Sequence, residues 1–153
     1  FENRITNLIT YVGITPVQIQ SARITGATLD YRAKLAEYGV RASITWQDPR
    51  NETNHLLLNR RAQRTASAGA DYATGAWTFG GDVVAAGKRF DDTANAVRMG
   101  GYAVLNLNAG YRYNKDLSFI TRLNNAFDKQ YELARDYNTE GRSLYFGFDY
   151  HPK

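Results

Sequence analysis

Cysteine is absent from the sequence, which removes disulfides and thiolate metal sites and leaves an oxidising compartment permitted but unproven. Histidine is nearly absent: His55 and His151 are the two imidazoles, and neither stands in a serine–acid constellation, so a hydrolase has no evident base and no catalytic residue is assigned. No stretch approaches the roughly 18 consecutive apolar residues of a helical span, so only strands remain as a means of crossing a bilayer. Low-complexity segments and fixed-period residue motifs are missing too, and no composition shift divides the 153 residues into domains. Nor does the chain open on a leader: Phe1 to Asn7 already reads as strand, so an export signal is expected upstream.

What the sequence has in quantity is two-residue alternation. At its end, Leu144, Phe146, Phe148 and Tyr150 fall on one face of a strand, with Ser143, Tyr145, Gly147 and Asp149 on the other. Val40, Ala42, Ile44 and Trp46 alternate in the same way with Arg41, Ser43, Thr45 and Gln47, as do Ala103, Leu105, Leu107, Ala109 and Tyr111 with the polar series Asn106, Asn108 and Arg112. The segments approach the roughly 9–11 residues with which a tilted strand crosses a bilayer. Tight turns at 36–39, 74–75 and 114–116 alternate with longer polar loops at 48–52, 91–95 and 126–141. The reading is an all-β chain, an antiparallel up-and-down transmembrane β-barrel wall of about eight strands in the bacterial outer membrane. The first strand covers 1–12, an interruption falls at 13–16, and the second strand runs over 17–36. A mean hydropathy of −0.51 is compatible with this, because a barrel wall needs apolar residues only at alternate positions.

The formal charge of +4 does not indicate a nucleic-acid binder. The basic residues are dispersed, with Arg60, Arg61 and Arg64 the one tight group, and no recognition helix or aromatic RNA-binding motif accompanies them. Asp71, Asp82 and Asp149 fall on the polar face, where Arg112 and Arg122 are available as partners. Trp46, Trp77, Tyr111, Tyr113 and Tyr150 sit near strand ends, as interfacial girdle aromatics do. Asp48, Asn51, Glu52, Asp91 and Asp92 lack the spacing of a calcium loop and read as solvated loop charge, so no metal site or cofactor is assigned. An independent eight-stranded barrel with a structural or adhesive role stays open as an alternative, since eight strands suffice for closure.

Asn125-Ala126-Phe127-Asp128-Lys129-Gln130-Tyr131, followed by Gly141-Arg142 and a last aromatic strand, resembles the C-terminal end of TonB-dependent outer-membrane receptors, which usually write the motif with Leu where Ala126 stands. Asn59 to Arg64, Lys88-Arg89-Phe90-Asp91 and Arg98-Met99-Gly100-Gly101 resemble more narrowly the cobalamin receptors of that family. The resemblance covers 57–150 closely and the first fifty residues by pattern. It implies a 22-stranded barrel filled by an N-terminal plug domain, energised through TonB and importing a scarce metal-chelate nutrient, cobalamin or a siderophore. These 153 residues contain no recognisable plug or TonB box and would be a single C-terminal barrel segment, 1–153.

The resemblance also places Arg60, Arg89 and Tyr137 at ligand-contacting positions. A guanidinium donates to amide carbonyls and phosphate, and tyrosine offers a flat apolar face with a polar tip. Pattern and resemblance differ at Arg60: next to Arg61 in what reads as a strand, and in phase with Leu58 and Ala62, it would face outward. Asn125 and Asp128 have a local role, satisfying turn backbone, and Gly141 is expected to supply a conformation that a Cβ resists.

Overall fold

The computed structural model describes residues 1–12 and 14–152, and every regular element in it is a strand. The strands are β1 (Glu2–Val12), β2 (Thr15–Leu35), β3 (Tyr38–Asn51), β4 (Arg64–Thr74), β5 (Trp77–Ala86), β6 (Arg89–Phe90), β7 (Arg98–Met99), β8 (Tyr102–Arg112), β9 (Leu117–Asn124), β10 (Glu132–Ala134), β11 (Tyr137–Asn138) and β12 (Ser143–Tyr150). Eight of them form one antiparallel sheet in the order β1-β2-β3-β4-β5-β8-β9-β12, and β6–β7 and β10–β11 are small ribbons within two of the loops. Consecutive large strands are neighbours throughout, the up-and-down order that the alternating turns imply. Within the described residues β1 and β12 have one neighbour each, so the sheet is an open arc of wall.

Register converts the alternation within each strand into two continuous faces. Leu29 lies opposite Ile44, Ile44 opposite Ala66, Ala66 opposite Ala85 and Ala85 opposite Ala103. Leu107 continues the apolar surface to Leu123, and Leu123 to Leu144. The opposite face carries pairs such as Thr28 with Thr45, Ser43 with Ser67, Gly80 with Asn108 and Asn108 with Arg122. A shift of one residue anywhere would exchange the faces, which is why so regular an alternation specifies the pairing. Large hydrophobics such as Leu29, Phe146 and Phe148 stay exposed, as a wall facing lipid requires.

Tight turns join the strands at one end. Gly75 occupies the left-handed region at φ 57° between β4 and β5, and Asn114 accepts from the N–H groups of Asp116 and Leu117 at 2.8 Å each between β8 and β9. Beside these turns the apolar face bears a girdle: Tyr38 stacks on Tyr72 at 4.6 Å, and Trp77 lies 4.5 Å from Tyr111.

Several expectations need correction. The polar stretch 48–52 is not a loop through most of its length: Asp48 to Asn51 continue β3, with Pro49 opposite Ile24, because β2 outruns the other strands and supplies a partner. At 21 residues β2 extends about 70 Å at roughly 3.3 Å per residue. Even tilted by about 45°, it projects well past a hydrocarbon layer of about 30 Å. The interruption expected at 13–16 is likewise not maintained, since Thr15 and Pro16 belong to β2, while Gly13 lies outside the described residues. Asp71 pairs with Arg41 across β3 and β4, and Asp82 accepts from Asn106 at 3.0 Å; among the described residues neither they nor Asp149 form an ion pair with Arg112 or Arg122.

Candidate functional site at the rim

Three loops meet at the end opposite the tight turns: residues 52–63 after β3, 87–101 between β5 and β8, and 125–142 between β9 and β12. The first folds back on the projecting strands. Leu58, 2% exposed, packs with Ile19, Ala22 and Ile24, while its N–H donates to the Pro49 carbonyl at 2.9 Å. The segment 57–63 is not a strand, so the expectation that Arg60 faces outward in phase with Leu58 and Ala62 loses its premise. Asn59 and Arg60 form a turn, and Arg60 sits in the left-handed region at φ 57°.

Asp91 joins the three loops. Its carboxylate accepts from Arg60 Nε at 2.8 Å and Nη2 at 3.4 Å, and the backbone N–H of Arg135 donates to the same group at 3.2 Å. The Arg60 N–H donates in addition to the Phe90 carbonyl at 2.6 Å. The Arg60 bond holds the Asp91 carboxyl below the ordinary carboxylate range, against an opposing effect of burial and with help from the Arg135 N–H. Arg60 is raised in return, chiefly by the same bond. Beside it, burial pushes Asp92 up, but the backbone N–H groups of Val97 at 2.8 Å and Ala96 at 3.1 Å, with those of Asp92 and Ala94, together more than offset that and leave its carboxyl lowered.

A second junction uses an amide. Asn95 receives the Leu57 N–H on Oδ1 and donates Nδ2 to the Leu57 carbonyl, both at 2.9 Å, which reproduces a strand-like pairing across two loops. A third uses Arg89, 5% exposed, whose guanidinium donates to the Glu132 carbonyl and lies 5.4 Å from the centre of the Tyr102 ring. Tyr102 in turn stacks on Tyr131 at 4.2 Å.

The motif 125–131 supports the last loop. Asn125, 4% exposed, donates to the Lys129 carbonyl at 3.0 Å and the Glu140 carbonyl at 3.4 Å, and accepts the Lys129 N–H at 2.8 Å. Asp128 accepts the Arg142 N–H at 2.8 Å. Both residues have the left-handed backbone that Asn and Asp tolerate, at φ 48° and 52°. Gly141 is needed for a different reason from the one expected: its φ is not left-handed, and a Cβ there would approach Asp128 Oδ1 to 2.8 Å.

Of the three residues singled out from sequence, Arg60 is half exposed, Arg89 is enclosed, and Tyr137, 73% exposed, projects from the β10–β11 ribbon, where it pairs with Ala134. They belong to one rim, and Tyr137 is near enough to contribute to the raised pKa of Arg60. Between 97–101 and 129–136 lies an open groove of about 570 Å³ with Arg98, Lys129 and Arg135 on its walls against Glu132 and Asp136. Sequence reasoning missed Asp91 and Asn95 as the residues that join the loops; alternation is silent there, and the sole local signal is that Asn readily adopts the left-handed conformation found at Asn95, φ 59°.

Residues 1–151 match the family model described as TonB dependent receptor-like, beta-barrel. The vitamin B12 transporter BtuB of Vibrio vulnificus is 31% identical over 144 residues, covering 89% of this chain and 23% of its own length. The vitamin B12 transporter BtuB of Photobacterium profundum is 26% identical over 130 residues, covering 85% and 22%. The chain thus spans less than a quarter of the curated relatives it matches. Among solved structures, the copper transporter OprC has a TM-score of 0.81 at 20% identity, covering 97% of this chain and 26% of that one. P. aeruginosa FpvA, in complex with a heterologous pyoverdine and iron, has a TM-score of 0.77 at 21% identity, with 97% and 24% covered. At such identities the structures speak for the fold alone. Receptors of this family are transport proteins of the bacterial outer membrane, and the apolar face described above is of the kind that lies against its lipid. This chain, matched over nearly its whole length, belongs to the TonB-dependent receptor family as part of its β-barrel.

Proposed function

We propose that this chain is the C-terminal barrel segment, 1–153, of an outer-membrane importer for a corrinoid chelate, and that Arg60, Arg89 and Tyr137 belong to its ligand-binding rim. In the whole receptor a plug domain fills the lumen, and TonB supplies the energy for passage. The segment works by binding, with no bond made or broken. The observation that carries the reading is the joining of three loops at Asp91, which presents a polar, aromatic-bearing rim above a polar-lined wall. The similarity to vitamin B12 transporters supports the ligand class.

The roles differ. Tyr137 offers an open ring to the flat apolar surface of a large chelate, and Arg60 has half its side chain free for amide or phosphate oxygens. Arg89 acts as a positioning residue, holding the Glu132 carbonyl and through it the ribbon that carries Tyr137. In the intact receptor, Tyr137→Ala and Arg60→Ala should each weaken cobalamin binding by about 1–3 kcal/mol, as lost desolvated aromatic area or a lost charge-assisted bond would. Arg89→Ala should speed release and raise amide exchange at 132–134, with partial rescue by Arg89→Lys. Unchanged affinity in all three alanine variants would reject the assignment.

A further inference from the structure

Beyond Asn51 the chain turns and runs back along the end of β3. Asn51 donates its N–H to the Leu56 carbonyl and Leu58 donates its own to the Pro49 carbonyl, both at 2.9 Å, so Arg50 and Leu57 stand opposite one another as in an antiparallel pair. In that pattern the N–H and carbonyl of Leu57 itself point the other way, to a side on which no strand pairs with it among the described residues. Such a position is a sheet edge, with one donor and one acceptor left over. Asn95 fills it. Its Oδ1 takes the Leu57 N–H and its Nδ2 donates to the Leu57 carbonyl, the same two bonds that a facing residue on a neighbouring strand would exchange, and the remaining Nδ2 hydrogen reaches the Asp92 carbonyl at 3.5 Å. The need for one acceptor and one donor fixes which way the amide faces. Aspartate has the same shape without the donor.

The segment that carries Asn95 is itself well tied. Arg89 pairs with Met99 and Phe90 with Arg98 in the β6–β7 ribbon, the Asp91 N–H donates to the Val97 carbonyl at 2.9 Å, and the Asp92 carboxylate closes the turn on Ala96 and Val97. From this one turn three grips reach the neighbouring loop: Asn95 on Leu57, the Phe90 carbonyl on the Arg60 N–H, and Asp91 on the Arg60 guanidinium. What they hold is unfavourable by itself. Arg60 has a left-handed backbone at φ 57°, which a residue with a Cβ adopts at a cost. Released at Leu57, the segment would relax toward right-handed or extended backbone and carry the guanidinium away from its place on the rim.

We propose that Asn95 is the positioning residue for Arg60, standing in for a missing strand so that 56–60 keeps the turn that presents the guanidinium to the ligand. The role rests on Arg60 being a ligand contact, and it makes affinity depend on a side chain whose amide is wholly engaged by backbone.

Asn95→Gly in the intact receptor is the test, because glycine takes the φ of 59° found at Asn95 without strain and removes only the amide. Amide exchange on peptides covering 55–60 should rise about tenfold or more, the worth of two ordinary hydrogen bonds, while 103–112 in β8 stays as protected as before. Cobalamin affinity should fall about threefold or more as the binding-competent turn loses population. Asn95→Asp should be worse than Asn95→Gly in both measurements, since its second oxygen would stand against the Leu57 carbonyl; a side chain that merely fills space would give the opposite order. Added to Arg60→Ala, Asn95→Gly should still raise exchange but leave affinity where Arg60→Ala put it. Unchanged exchange at 55–60 in Asn95→Gly, an Asn95→Asp variant that matches the native receptor, or a further loss of affinity when Asn95→Gly joins Arg60→Ala would each overturn the proposal. Full affinity in Arg60→Ala would instead overturn the ligand role of Arg60, and with it the purpose given to Asn95, even where exchange responds as expected.

Discussion

Replacing Asp91 by alanine removes the group on which three loops converge, and its cost can be worked from its bonds. The ion pair to Arg60 involves a guanidinium 48% exposed and a carboxylate 17% exposed, so screening holds it to about 0.5–1 kcal/mol. The bond from the Arg135 N–H adds about 1 kcal/mol. For 131–139 only the bond from the Arg135 N–H is direct, so Asp91→Ala should increase the open population of that loop roughly fivefold, while the lost ion pair loosens 52–63. Arg60→Ala, which loses the ion pair alone, should loosen 52–63 and leave 131–139 nearly unchanged. Amide hydrogen exchange of the intact receptor, read on peptides covering 52–63 and 131–139, measures both. Exchange of 131–139 unchanged in Asp91→Ala would refute the view that this carboxylate holds the loop, as would an effect of Arg60→Ala there equal to that of Asp91→Ala. The pH dependence has a definite sign. Because the folded-state pKa of Asp91 is depressed, its contribution is complete above the ordinary carboxylate value of about 4 and is lost as pH falls through the lower folded value. The elevated Arg60 titrates far above any pH at which the receptor works, so loosening is expected on the acid side only.

Other substitutions separate local from distant support. Asn125→Ala removes three side-chain hydrogen bonds at a nearly enclosed position and leaves alanine in left-handed backbone; a stability loss of about 2–4 kcal/mol should appear as a lower denaturant midpoint for the reconstituted receptor, and an unchanged midpoint would contradict the support role. Leu58→Ala should cost about 2–4 kcal/mol, with faster exchange confined to 52–63 and the projecting ends of β2 and β3; a response spread over the whole sheet would show that the loop is not a separate packing unit.

Much of the wall is legible residue by residue. The apolar series ending in Leu144, Phe146 and Phe148 follows from strand geometry alone, and Gly75 and Asn114 mark turns through their own backbone preferences. The rim is legible only in fragments. Asn125 and Asp128 act on backbone a few residues away, so their role is visible locally, whereas Asp91 meets Arg60 and Arg135 across 31 and 44 residues of sequence. The stretch Asp48 to Asn51 has the composition of a loop and is strand because β2 is long enough to pair with it.

Alternation by itself determined that this protein is a sheet with one face for lipid and one for water, since each side chain's facing depends only on its place in a two-residue repeat. Tertiary structure alone decided which charges meet. Arg41 finding Asp71, Asn95 bridging to Leu57, and Arg4, Arg23 and Arg50 aligning in one row all depend on how far each strand slides against the next and how the loops fold over the ends. Those offsets are set by many weak contacts between residues distant in the chain, and no local preference encodes them.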